Sequence, residues 1–211
     1  MSLERALRPD ARRVLATVMA VWIVGLIATG IAPHDRATWF LEAAPVMIAM
    51  PLLLATREKF PFTTLAYVLI CIHGLILMLG AMYTYAMVPA GHWVQDWLGL
   101  ERNPYDRFGH LAQGFIPAIV AREILIRTFR LAPGGLLFFL VVCIALALSA
   151  CYEMIEWWTA LALGQGADHF LGTQGDEWDT QWDMFLALVG AVVSQVLLSR
   201  LHDREIRALR R

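Results

Sequence analysis

Six apolar stretches, most of them close to the roughly 20 residues a helix needs to cross about 30 Å of hydrocarbon, dominate this chain and leave few folds open to it. They cover residues 14–32, 40–56, 62–88, 108–126, 136–163 and 181–199. A backbone in hydrocarbon must satisfy its own hydrogen bonds, so such stretches become helices. The expected fold is all-α: a polytopic membrane protein, six transmembrane helices in one bundle, with residues 1–211 as a single transmembrane domain. The second stretch is the weakest, being short and carrying Glu42 with the kinking prolines Pro45 and Pro51. Without it the count falls to five. Composition agrees, with 59% hydrophobic and only 17% charged residues. The near balance of 17 Lys+Arg against 18 Asp+Glu, together with only three cysteines, argues against a nucleic-acid binder, a disordered chain and a secreted disulfide scaffold.

The first apolar run follows Arg5, Arg8, Arg12 and Arg13 and is too long for a signal-peptide core, so it reads as a retained helix. Six spans then put these arginines on one side with Arg57, Lys59, Arg122, Arg127, Arg130, Arg200, Arg204, Arg207, Arg210 and Arg211. Only Arg36, Arg102 and Arg107 remain on the other side, and the positive-inside rule makes both termini cytoplasmic. The outer segments are acidic, with Asp35, Asp96, Glu101, Asp106, Asp168, Asp176, Glu177 and Asp179. Trp39, Trp93, Trp97, Trp157, Trp158, Trp178 and Trp182 stand near the same helix ends and read as an aromatic belt. Cys71, Cys143 and Cys151 show no CxxC spacing and read as small core residues, and His73 as a histidine satisfied by another helix.

Polar residues nevertheless fall on single faces at the outer helix ends. Asp106, His110 and Gln113 are spaced by four and three, Ser149, Glu153 and Glu156 by four and three, and Asp179, Asp183, Ala187, Gly190 and Ser194 again share one face. Between the last two spans, the 164–180 segment carries four glycines with Asp168, His169, Asp176, Glu177 and Asp179, and can fold back over the helix ends. Carboxylates suit hard divalent cations, imidazole with carboxylate suits zinc, and either group beside a metal can move a proton. The candidate catalytic residues are Asp106, His110 and Glu156. The candidate ligands for one divalent metal ion are Glu153, Asp176, Asp179 and Asp183. No HExxH, GxSxG or P-loop pattern accompanies them. An interfacial acidic belt with Asp179 and Asp183 at a helix N-terminus is the competing structural reading.

The segments DRFGHLAQGFIPA (106–118), SACYEMIEWWTA (149–160) and FLGTQGDEWDTQWDMFLALVGA (170–191) resemble the YjdF-type inner-membrane proteins of bacteria over most of the chain. More distantly, the order of Asp106 and His110, a later glutamate (Glu153 or Glu156), and Asp183 with Gly190 is similar to VanZ-like proteins, a group linked to glycopeptide-antibiotic resistance. Arg107 stands where that group tends to have lysine, and Ala187 where it has asparagine. The resemblance implies a multi-pass protein of the bacterial inner membrane with an outward-facing polar site. Beyond the lipid bilayer, the partner that the histidine and carboxylate cluster at headgroup depth suggests is a lipid-linked or cell-envelope substrate. Three functions compete: a metal-assisted or acid/base enzyme on such a substrate, a small transporter or ion-handling protein, and a structural or accessory membrane protein. The transporter reading is weakened by inner helix halves whose polar residues are only His73, Ser194, Arg122 and Glu123, and by the lack of an internal repeat.

Overall fold

The computed structural model describes residues 9–163 and 173–209, so Arg5, Arg8, Asp168, His169, Arg210 and Arg211 lie outside the described residues. Within them the chain forms helices α1 (Pro9–Ile31), α2 (Arg36–Thr56), α3 (Thr64–Tyr83), α4 (Pro89–Leu98), α5 (Tyr105–Arg127), α6 (Gly135–Leu163) and α7 (Asp179–Leu209), with no strand among the described residues. Asp35 caps α2, its carboxylate accepting from the Thr38 N–H at 2.7 Å, and the Thr63 hydroxyl caps α3 through Ala66 N–H. Despite Pro45 and Pro51, α2 is continuous. The apolar run 62–88 predicts one helix, and the structure breaks it. Thr84 and Tyr85 take left-handed conformations at φ 55 and 51, the Tyr85 ring folds back against Gly80, and Pro89 starts the short α4.

Five helices, α1, α2, α3, α6 and α7, are long and apolar enough to cross a membrane. The sequence reading places its doubt on the second stretch; the structure moves it to α5. That helix has span length but carries Asp106, Arg107, His110, Arg122, Glu123 and Arg127. Its position explains the composition, because α5 packs on α7, α6 and α3, and burial among helices lets it carry charge that lipid contact would forbid.

The α5/α7 contact is backbone against backbone. A Cβ on Gly114 would sit 1.8 Å from the Ala187 carbonyl oxygen, and one on Gly190 would sit 2.2 Å from the Leu111 carbonyl oxygen. Ala118, Ala187 and Ala191 are fully buried along the same seam. Small residues thus serve here as they do at membrane helix crossings, bringing two axes close. A second core gathers Leu15, Val18 and Trp22 of α1 against Tyr67 and Met78 of α3. Trp39 departs from the aromatic belt: it is buried, with its Nε1–H donated to the Thr29 hydroxyl at 3.1 Å, whereas Trp93, Trp97 and Trp178 are exposed. Cys143 and Cys151 are exposed rather than core residues, and Cys71 is half-buried.

The end of the bundle opposite the predicted polar cluster holds an ionic network. Glu123, with no exposed surface, accepts from the Thr63 N–H at 3.0 Å, from the Thr63 hydroxyl at 2.7 Å, from His202 Nε2 at 3.0 Å and from Arg127. Arg122 donates to His202 Nδ1 at 3.2 Å and to Asp203 at 2.8 Å. Arginine only donates, so Nδ1 of His202 is the acceptor and its Nε2–H faces Glu123. The network ties α3, α5 and α7 together.

Two substitutions test this packing. Gly190→Ala drives a methyl into the α5 backbone and is expected to cost about 3 kcal/mol or more, whereas Gly135→Ala, whose Cβ meets nothing within 4 Å, leaves stability unchanged. Thermal midpoints of the detergent-solubilised proteins read the difference.

Candidate functional site

The site begins with how α5 is started. Asn103 is buried and accepts the Tyr105 N–H at 3.0 Å on its side-chain oxygen, while its amide donates to the Val88 carbonyl at 3.0 Å. Gln174 clamps the same residue from the other side, accepting the Asn103 N–H at 3.0 Å and donating to its carbonyl at 3.1 Å. The Tyr105 hydroxyl donates to the Ile76 carbonyl at 3.0 Å. The first turn of α5 is thereby fixed against α3, α4 and the segment before α7. Sequence reasoning missed Asn103 and Gln174, since a lone amide in a turn carries no pattern of its own.

From that anchored turn, Asp106 and His110 project toward α6 and α7. His110 Nε2 lies 3.6 Å from Asp106 and 3.8 Å from Asp183, and its Nδ1 lies 3.8 Å from Glu153. All four side chains are buried. Asp106, His110 and Asp183 can turn one donor atom each to within 4.8 Å of one another, and so can His110, Glu153 and Glu156. The three helical stripes predicted from spacing do meet. Their common member is His110, set edge-on to the Tyr152 ring at 6.4 Å.

The two other predicted ligands take different company. Asp179 pairs with Arg102, which also lies 3.6 Å from Asp106 and 3.5 Å from Asp176. Asp176 accepts from Arg107 at 2.6 Å, and the Arg107 guanidinium lies over the Trp182 ring at 5.4 Å. A carboxylate that the sequence reading counts only as a flaw in the second span also joins: Glu42 of α2 is buried and accepts from the Tyr152 hydroxyl at 2.6 Å. A cavity of about 300 Å³ runs beside these groups, lined by Glu42, His73, Asp106, His110, Tyr152 and Glu156.

Satisfaction separates this cluster from the network at the other end. His110 Nδ1, Ser149 Oγ, Glu153 Oε1 and Asp183 Oδ1 are shielded from solvent and have no hydrogen-bond partner among the described residues. Buried polar atoms are ordinarily paired, so four unpaired ones near one another set this cluster apart.

Residues 14–204 match a family of predicted membrane proteins, DUF2238. The chain belongs to that family. It is also 54% identical to the inner membrane protein YjdF of Escherichia coli (strain K12) over 205 residues, covering 97% of each chain. No solved structure matches. The family is therefore that of a multi-pass inner-membrane protein, as the three resembling segments imply.

At the rim, the Asp176 carboxyl is held below the usual carboxylate range, first by the Trp178 N–H it accepts at 2.9 Å and then by Arg107 and Arg102. A lowered native value gives stability that is full above the unfolded value of about 3.9 and is lost as pH falls through the native one. The thermal midpoint of wild type is expected to exceed that of Asp176→Asn by a constant margin above about pH 5, and the margin closes in acid.

Proposed function

We propose that this protein is a membrane-embedded enzyme that uses one divalent metal ion, together with acid/base side chains, on a lipid-linked or cell-envelope substrate. The observation that carries the reading is the set of unpartnered buried atoms around His110. Imidazole Nε2 with the carboxylates of Asp106 and Asp183 makes a three-ligand set of the kind that leaves a coordination position open for water. Glu153 stands 3.8 Å away on the Nδ1 side, where a carboxylate would take up the other ring proton and orient the ring once an ion is held, the role outer carboxylates take behind metal-bound histidines. Glu156, whose carboxylate lies with Glu153 within 4.8 Å of His110, is the residue that would take up or give a proton beside such an ion, which would supply Lewis-acid activation. Asp176 and Asp179 act through Arg102 and Arg107, which close the rim with positive charge.

Counting α5 as a sixth span supports the same function. At 23 residues it is about 34 Å long at 1.5 Å per residue, enough to cross hydrocarbon, and its charged groups are gathered at its two ends where neighbouring helices pair or enclose them. Six spans put both termini in the cytoplasm and turn the His110 cluster to the periplasm, beside envelope substrates.

Elemental mass spectrometry of the purified protein tests the reading. Wild type is expected to hold close to one divalent ion per chain, and His110→Ala and Asp183→Ala to lose it while remaining folded. Asp176→Asn keeps it. Wild type free of metal after purification without chelator, and after loading with zinc or manganese, overturns the proposal.

A further inference from the structure

The cavity at the His110 cluster borders another. A second cavity of about 450 Å³ lies further along the bundle between α2, α3 and α5, and the two share Pro45, His73, Leu77 and Pro117 in their walls. Past that junction the lining is almost wholly apolar, including Trp22, Leu53, Phe62, Ile70 and Ile116. The helices leave this space for a reason visible in their packing: α2 rests on α3 and α1, whereas α5 rests on α3, α6 and α7, so α2 and α5 face each other across α3 without closing. Each carries a proline at the junction, Pro45 and Pro117, where the helical hydrogen bond is lost and the axis can bend. Leu52 and Ile124 stand exposed at the edge, so the slot opens sideways between the helices.

From His110 to Ile124 along α5 the two neighbouring cavities together extend about 21 Å at 1.5 Å per residue, most of the roughly 30 Å hydrocarbon thickness. At the junction an imidazole interrupts the apolar wall. His73 Nε2, at the junction, is shielded and has no hydrogen-bond partner among the described residues, contrary to its sequence reading as a histidine satisfied by another helix. An unpaired imidazole nitrogen in such a place is costly unless an occupant supplies a partner.

We infer that the slot is the seat of one hydrocarbon chain of an amphiphilic lipid whose polar head lies at the His110 cluster, with the linkage between head and chain at His73. The inference rests on the proposed enzymatic reading and names its substrate class. An acyl chain fills the space that Leu53, Phe62 and Ile116 line, and an ester carbonyl or hydroxyl at the linkage satisfies His73. Sideways access between α2 and α5 lets the lipid enter without leaving the bilayer.

Photo-crosslinking tests this on the full-length protein reconstituted in vesicles of phosphatidylethanolamine and phosphatidylglycerol, using a phosphatidylglycerol probe with a diazirine in its chain. Peptides containing residues 70–77 and 116–120 are expected to take up about ten times more label than the exposed α7 surface at Val196 and Leu197, a difference of about 1.4 kcal/mol in occupancy. Excess unlabelled phosphatidylglycerol should suppress it. Ala49→Trp and Val120→Phe fill the slot from its two facing walls, and whichever folds should lose the label while retaining the metal content of wild type. His110→Ala should retain the label while losing the metal, so the two readings fail separately. Label spread evenly over the lipid-facing surface, or unchanged in a folded slot-filling variant, overturns the inference.

Discussion

The close approach of α5 and α7 is the constraint from which the rest of the structure follows. With Gly114 against the Ala187 carbonyl and Gly190 against the Leu111 carbonyl, the two backbones touch. No hydrophobic force drives helices together in lipid, so contact this close has to come from shape, and glycine is the residue that permits it. One consequence is local: Ala187 occupies the point of closest approach, where a larger side chain has no room. The other is chemical, because fixing these axes sets Asp106 and His110 of α5 beside Asp183 of α7 at one end of the crossing and Arg122 and Glu123 beside His202 at the other.

The two polar clusters hung on this crossing differ in the way that matters for function. Around Glu123 nearly every donor meets an acceptor, and the cluster behaves as a fastener that joins the start of α3 to α5 and α7. Around His110 the groups are as deeply buried, yet they point at one another across gaps of 3.6 to 3.8 Å with several atoms unpaired. A buried polar network left half satisfied destabilises a fold unless something else completes it. The fully bonded end holds the bundle together, and the open end is where chemistry is proposed.

Much of this was legible along the chain. Apolar runs marked helices because hydrocarbon permits little else, and i, i+3 and i, i+4 spacing identified the faces of Asp106 and His110, Glu153 and Glu156, and Asp179 and Asp183. Where the reading strayed, tertiary contacts had overridden local pattern. The Tyr85 ring packing on Gly80 ended α3 early, the span in question proved to be the charged, enclosed α5 rather than α2, and Arg102 pairs with both Asp179 and Asp176, a partner that spacing did not reveal.

The sequence by itself determined that the chain is helical and membrane-bound, and which residues sit on the polar face of each helix, since those properties depend on spacing within single segments. It could not say which faces meet. Only the tertiary structure brought Glu42 to the Tyr152 hydroxyl, enclosed Glu123 with His202, and opened a slot between α2 and α5, because each is a relation between segments far apart in the chain, set by backbone approach and kink rather than by any local pattern.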